Sequence, residues 1–253
     1  MLIAAIRTIA AYVFCSVYTL TVGPVALVLA IVFRWPNVLY GAAIVAVESA
    51  LLILGIRYVV EGAEHIDGKR PSIYCVNHVS NLEPPILFLV LARRFAPHVG
   101  ILYKAVLHRL PVLGWGFDFV GFVPIERGNR DQSSKALDKA VGLMHGGHSF
   151  LVFPEGTRSR SGELLPFKKG AFIMALRAQV PVVPTAITGS RAAMTPGSFI
   201  IKPTTVRVKM GEPIPTAGLG LESRDALIAQ TRERVQDLLR TFGDRPNLSR
   251  SNE

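Results

Sequence analysis

An imidazole and a carboxylate five residues apart offer the first chemistry in this chain: His78 and Glu83, in the run Val76-Asn77-His78-Val79-Ser80-Asn81-Leu82-Glu83-Pro84-Pro85. A histidine steered by an acid is a general base, because the carboxylate fixes the ring tautomer and stabilises the imidazolium as it forms. On one continuous α-helix five residues advance by about 500°, which leaves the two side chains about 140° apart. A turn removes that difficulty. Ser72 to Val76 is short, apolar and partly β-branched, the pattern of a buried strand, while Pro84-Pro85 suits the first turn of a helix. A residue before proline is pushed out of helical geometry, so Glu83 falls at the boundary. Strand, turn and helix start then let His78 and Glu83 face each other. A lone histidine near an acid is more often structural than catalytic, so the weight rests on three further segments.

Those three share one design: Gly121-Phe122-Val123-Pro124-Ile125-Glu126-Arg127-Gly128, Phe153-Pro154-Glu155-Gly156-Thr157-Arg158-Ser159-Arg160-Ser161-Gly162, and Val180-Pro181-Val182-Val183-Pro184-Thr185-Ala186. Each follows or forms a short apolar run, which puts Arg127, Glu155 and Arg158 just beyond strand ends, where α/β sheets present ligand-binding groups. Taken with Asn77-His78 and Glu83, these segments resemble, in order, the four motifs of the glycerolipid acyltransferase family, enzymes that acylate glycerol phosphates. The resemblance covers about residues 70 to 210, and Glu155-Gly156-Thr157-Arg158 is its strongest match. Lys104, Leu107, Pro111, Leu113, Gly114 and Trp115 loosely resemble the family's segment between its first two motifs, which lines the acceptor and acyl path.

The resemblance implies that His78 takes the proton from a glycerol hydroxyl as it attacks an acyl thioester, with Glu83 fixing the ring. The family usually carries aspartate where Glu83 stands; the extra methylene predicts a displaced histidine contact or a slower enzyme. Arg127 and Arg158 are the candidates for the acceptor phosphate, since a guanidinium fork binds two phosphate oxygens at once, and Lys104 is a further candidate. Glu155 is expected to orient an acceptor hydroxyl or an arginine, Gly156 to let backbone approach closely, and Thr157 to donate a hydrogen bond. No cofactor is implied beyond acyl-coenzyme A or acyl-carrier protein as co-substrate. The expected acceptor is lysophosphatidic acid, with glycerol 3-phosphate, another lysophospholipid or a lyso-ornithine lipid open; a non-catalytic module that binds anionic lipid is the alternative. No GxSxG elbow or GxxxxGK[ST] loop is present.

Charge and hydropathy agree with a lipid substrate. The formal net charge is +10, and residues 1 to 56 hold only Arg7, Arg34 and Glu48, so the basic surface belongs to residues 57–253. Such a field attracts anionic membranes, phosphorylated substrates and nucleic acid alike. The lack of zinc-finger or RNA-binding motifs, together with the apolar N-terminus, argues against nucleic acid. Cys15 and Cys75 lie in apolar runs and read as buried thiols. No HExxH or comparable cluster exists, so no metal site is expected.

From Thr8 to Phe33 there are 26 residues without a formal charge, long enough to cross a hydrocarbon core. Gly23-Pro24 should kink or divide that helix. Arg34-Trp35-Pro36-Asn37 makes a break, and Val38 to Ile56 supplies a second apolar run containing Glu48. The pattern predicts a membrane-anchoring hairpin over residues 1–58, either spanning the bilayer or embedded in one leaflet. The acyltransferase domain is then 59–243, with a polar tail at 244–253 expected to be disordered. Within the domain, strands are expected near 73–77, 99–103, 119–125, 149–153, 181–187 and 204–210, alternating with helical stretches such as Asp131 to His145 and Ser223 to Phe242. That predicts an α/β fold, a mixed sheet flanked by helices. Because both thioester donors are cytoplasmic, the resemblance also implies a catalytic domain on the cytoplasmic side of the cell membrane.

Overall fold

Strands that are apolar on both faces must be covered on both, and a seven-stranded sheet with helices on each side meets that requirement. The computed structural model describes residues 1–95, 98–110, 112–126, 128, 130–195 and 197–243. Its strands are β1 Ile56–Glu61, β2 Ile73–Val76, β3 Val99–Lys104, β4 Val123–Ile125, β5 Ser149–Val152, β6 Val182–Thr188 and β7 Thr204–Met210. They lie in the order β1-β7-β6-β2-β5-β3-β4, with only β6 and β7 antiparallel, so the sheet is mixed as expected. The helices are α1 Leu2–Val32, α2 Asn37–Leu54, α3 Glu83–Phe95, α4 Leu113–Phe119, α5 Arg130–His145, α6 Gly170–Ala178, α7 Ser190–Ala193 and α8 Arg224–Gly243.

Period-two alternation sorts the core into two layers. Tyr74 and Val76 of β2 join Leu151, Val183, α3 and the N-terminal hairpin on one face. Ile73 and Cys75 join Phe150, Val182, α5 and α6 on the other. On α5 the expected Ala136, Ala140, Val141 and Met144 are buried, and on α8 Leu227, Thr231 and Val235 are.

Three placements differ from those expected. Pro24 does not divide α1, which runs unbroken with the proline inside it. In apolar surroundings every helical hydrogen bond that survives beside a proline is worth keeping. Residue 23 is a glycine where the helix meets the domain; a Cβ there would stand 3.1 Å from Val112 Cγ1. The boundary at 58 falls inside a strand, because α2 stops at Leu54, Gly55 takes left-handed φ 70, and β1 pairs with β7 from Ile56. Arg57-Tyr58-Val59-Val60 follows an apolar helix with only that glycine to mark the change. Finally, α4 occupies Leu113–Phe119, so the strand expected from 119 begins only at Val123, beyond the turn at Gly121. The tail 244–253 lies outside the described residues.

Both ends of α2 are fastened to the domain. Leu54 leads through Gly55 into β1, and Tyr40, near the other end, is 2% exposed and donates its hydroxyl to the carbonyl of Val99 (2.8 Å), with the carbonyl of Val120 at 3.2 Å. α1 is tied at Thr8, whose Oγ1 accepts from the N–H of Ile201 at 2.9 Å. Glu48, costly in lipid if alone, is ion-paired with Arg93 of α3. The hairpin therefore lies along the sheet's α3 face rather than projecting from it. Replacing Tyr40 by phenylalanine strands these buried partners and should cost about 1–3 kcal/mol. A thermal or denaturant melt unchanged in Tyr40→Phe would contradict this docking.

Candidate active site

β2 is hydrogen-bonded on both sides, to β5 and β6, so the chain beyond Val76 emerges at the centre of the sheet's edge. Asn77 prolongs the ladder by one residue: its Nδ2 donates to the carbonyl of Ile187 at 3.0 Å and its Oδ1 accepts from the N–H of Ile187 at 2.8 Å. His78 comes next, and its backbone is held from both ends by the loop after β5. Its N–H donates to Glu155 Oε1 at 2.7 Å, and its carbonyl accepts from the N–H of Ser159 at 2.7 Å. The ring stacks on Phe153, centroids 4.2 Å apart.

Glu83 meets this ring as the spacing predicts, with Oε2 2.6 Å from His78 Nδ1. The carboxylate sits at the start of α3, is 0% exposed, and is ringed by donors: the N–H of Val79 (3.1 and 3.0 Å to the two oxygens), the N–H of Ser80 at 3.1 Å and Ser190 Oγ at 2.6 Å. A helix N-terminus and converging N–H groups are the surroundings that favour an anion away from water. Nδ1 then carries its proton toward Glu83. Nε2, which makes no hydrogen bond to the described residues, is left as the acceptor on a half-buried ring.

Glu155 is buried behind the His78 backbone. It is 2% exposed, and both its oxygens take backbone N–H groups, from His78 and from Leu165 at 3.0 Å. No arginine reaches it among the described residues. Burial pushes its carboxyl above the ordinary glutamate range; the two N–H donors pull it back, and the charge of Glu83 adds to the upward push. Its carboxylate clamps the His78 backbone to the loop.

The remaining candidates surround this core less tightly. Gly156 has φ 68, and Lys168 lies across it so closely that a Cβ would stand 3.0 Å from Nζ. Thr157 is exposed and Arg158 half-buried, and no described carboxylate pairs with Arg158. Lys104 is the exposed last residue of β3, two strand spacings from β2, about 10 Å away along the same edge. Arg127 lies outside the described residues. Cys75 points into the core and burial pushes its thiol up, so it is no nucleophile. Among the described residues no cluster of metal-ligating side chains occurs.

Below the pair, an apolar cavity of about 410 Å³ opens between the hairpin and the domain. Gly23, Ala43, Pro84, Phe88, Leu113 and Phe117 are among its walls. Pro84 directly follows Glu83, so the cavity begins beside the chemistry. Sequence reasoning did not find it, nor Ser190, Asn77's bridge or the Phe153 stack. Asn77 stood in the motif as a polar residue at a strand's end, whereas Ser190 is 107 residues from Glu83 and carries no local signal.

A sheet edge with a carboxylate-steered histidine, cations in the neighbouring loops and an apolar cavity beside it defines an acyl-transfer site for amphiphiles. The Acyltransferase family model matches residues 57–188, and the chain belongs to that family. It is 34% identical over 197 residues to a 1-acyl-sn-glycerol-3-phosphate acyltransferase of Limnanthes douglasii, covering 75% of this chain and 67% of that protein. A Schizosaccharomyces pombe protein named an uncharacterized acyltransferase is 33% identical over 77% of this chain and 70% of its own length. The crystal structure of the 1-acyl-sn-glycerophosphate (LPA) acyltransferase PlsC from Thermotoga maritima superposes with a TM-score of 0.81 at 27% identity, covering 96% of this chain and 97% of that one.

Glu83 spans His78 and Ser190, and aspartate, shorter by about 1.5 Å, cannot hold both. Glu83→Asp should lower kcat at least tenfold, and Ser190→Ala should lower kcat with KM unchanged. If the two share one contact, the double variant is no slower than Glu83→Asp alone; losses that multiply in steady-state kinetics would show the contacts to be independent.

Proposed function

We propose that this protein transfers a fatty acyl group from a thioester donor to the sn-2 hydroxyl of lysophosphatidic acid, giving phosphatidic acid. The observation that carries the reading is the 2.6 Å contact between Glu83 and His78 Nδ1, which leaves Nε2 to accept a proton. The acceptor hydroxyl gives its proton to Nε2 while its oxygen bonds to the thioester carbonyl carbon. The tetrahedral oxyanion then collapses, the carbon–sulfur bond breaks, and the imidazolium returns the proton to the departing thiolate. The thioester is already activated, so no protein nucleophile is required.

Arg158, with Lys104 at the end of β3, holds the acceptor phosphate, Arg127 being a further candidate from its motif, and the apolar cavity beneath Pro84 takes an acyl chain. The donor is acyl-coenzyme A or acyl-carrier protein, both of which place the domain on the cytoplasmic side. The hairpin sits in one leaflet: a spanning hairpin would carry its turn about 30 Å from the domain, whereas Tyr40, four residues into α2, is held at Val99 and Val120. In intact cells, Trp35→Cys should resist a membrane-impermeant thiol reagent applied from outside; labelling there would mean that the hairpin spans.

Thiol release and phosphatidic acid formation, followed with purified protein, lysophosphatidic acid and each donor in turn, test the reaction. His78→Ala should lower kcat by about 10²–10⁴. Arg158→Ala should raise KM for lysophosphatidic acid far more than for an uncharged monoacylglycerol. Undiminished turnover in His78→Ala removes the base assignment, and a wild type inert with every donor and acceptor favours the lipid-binding module instead.

A further inference from the structure

Large apolar side chains turned to solvent in one place, in a chain able to bury them elsewhere, mark a surface that something covers. The segment between β3 and β4 is such a place. Its 3-10 turn Ala105–Arg109 and α4 expose Val106, Leu107, Leu110, Trp115 and Phe119, and Trp115 is 64% exposed. Trp115, one of the residues resembling the family's acyl path, therefore points away from the cavity, while Phe117 lines it. Lys104 and Arg109 flank the patch, both exposed. Its one carboxylate, Asp118, already has His108 Nδ1 at 3.6 Å and Lys139 Nζ at 3.9 Å. The patch is thus apolar at its centre and positive at its rim.

It is also continuous with the hairpin. α1 reaches it where Gly23 meets Val112, Tyr40 of α2 meets the carbonyl of Val120 just past α4, and the apolar cavity has walls from the hairpin and from α4. The outward faces of α1, from Leu20 to Val32, are likewise apolar and exposed.

We infer that the Ala105–Arg109 turn and α4 form a third membrane-inserting element, which enters the headgroup layer of an anionic bilayer beside the hairpin. Tryptophan at the interface and cations at phosphate level are the chemistry such a layer selects. Seated there, α4 forms the rim of the cavity where headgroups meet acyl chains, so a single-chain lipid passes sideways from bilayer to cavity without crossing water. The inference rests on the membrane-bound reading of the hairpin given above.

The chain has only two tryptophans, Trp35 in the hairpin turn and Trp115 in α4, so each can be made the sole reporter. Full-length Trp35→Phe and Trp115→Phe would be mixed with vesicles of phosphatidylglycerol and phosphatidylcholine whose acyl chains carry bromine at defined depths. Shallow bromines should quench Trp115 as strongly as Trp35. Quenching of Trp35 but not Trp115 overturns the inference and leaves the hairpin reading intact. Quenching of neither overturns both and returns the patch to a protein partner. In activity, Trp115→Asp should raise KM for vesicle-borne lysophosphatidic acid about tenfold, the loss expected from withdrawing one large apolar side chain from lipid. KM for a short-chain, water-soluble lysophosphatidate should not change. An equal rise for both acceptors would mean that the substitution distorts the site, and would count against insertion.

Discussion

A buried carboxylate ringed by hydrogen-bond donors is the constraint around which this site is built. Glu83 is fully enclosed, and taking such an ion from water costs several kcal/mol even after relaxation. Hydrogen bonds to a charged group return about 1.5–3 kcal/mol each, so one histidine alone does not hold it. Val79, Ser80 and Ser190 supply the rest, and they come from a turn and from a helix on the far side of β6. The polar loops therefore had to converge on one point before His78 could be steered at all.

That convergence explains why the chemistry stands at the middle of the sheet. Only a strand paired on both sides delivers a residue with loops to its left and right. β2 has β5 on one side, whose following loop clamps the His78 backbone through Glu155 and Ser159. On its other side β6 receives Asn77 and leads to Ser190. Two acids thus serve one histidine by different means. Glu83 acts on the ring, and Glu155 acts on the peptide that carries it.

The parts legible in the sequence were those whose signals are local. His78 and Glu83 lie five apart across a strand, a proline pair and a turn, and the alternation in β2 and the helical spacing in α5 and α8 each sort their own residues. What stayed hidden depended on contacts between distant segments. The role of Glu155 comes from the two N–H groups that reach it, not from its motif. Pro24 spoke for a break that the docking of α1 overrode, and β1 was masked because one glycine was the only mark between an apolar helix and an alternating strand. Charge patterns reported that the domain is basic but not that Asp118 lies within 4 Å of both His108 and Lys139. Glu83 shows the limit most plainly: its second anchor, Ser190, is 107 residues away and leaves no local mark.

The hairpin belongs to the fold rather than hanging from it, and on the membrane-bound reading proposed above depth control is the consequence. A flexible tether would hold the domain near the bilayer at any height, leaving an amphiphile to lift its chain into water before reacting. Here Tyr40, Thr8 and the Glu48–Arg93 pair fix α1 and α2 against the sheet's α3 face. The same two helices wall the cavity that begins beside Glu83. Where the helices settle in lipid, the cavity settles too, and the distance from hydrocarbon to His78 is set by packing inside one rigid body. On the proposed reading, an apolar cavity beside the histidine and cations in the neighbouring loops sort the two ends of an amphiphile.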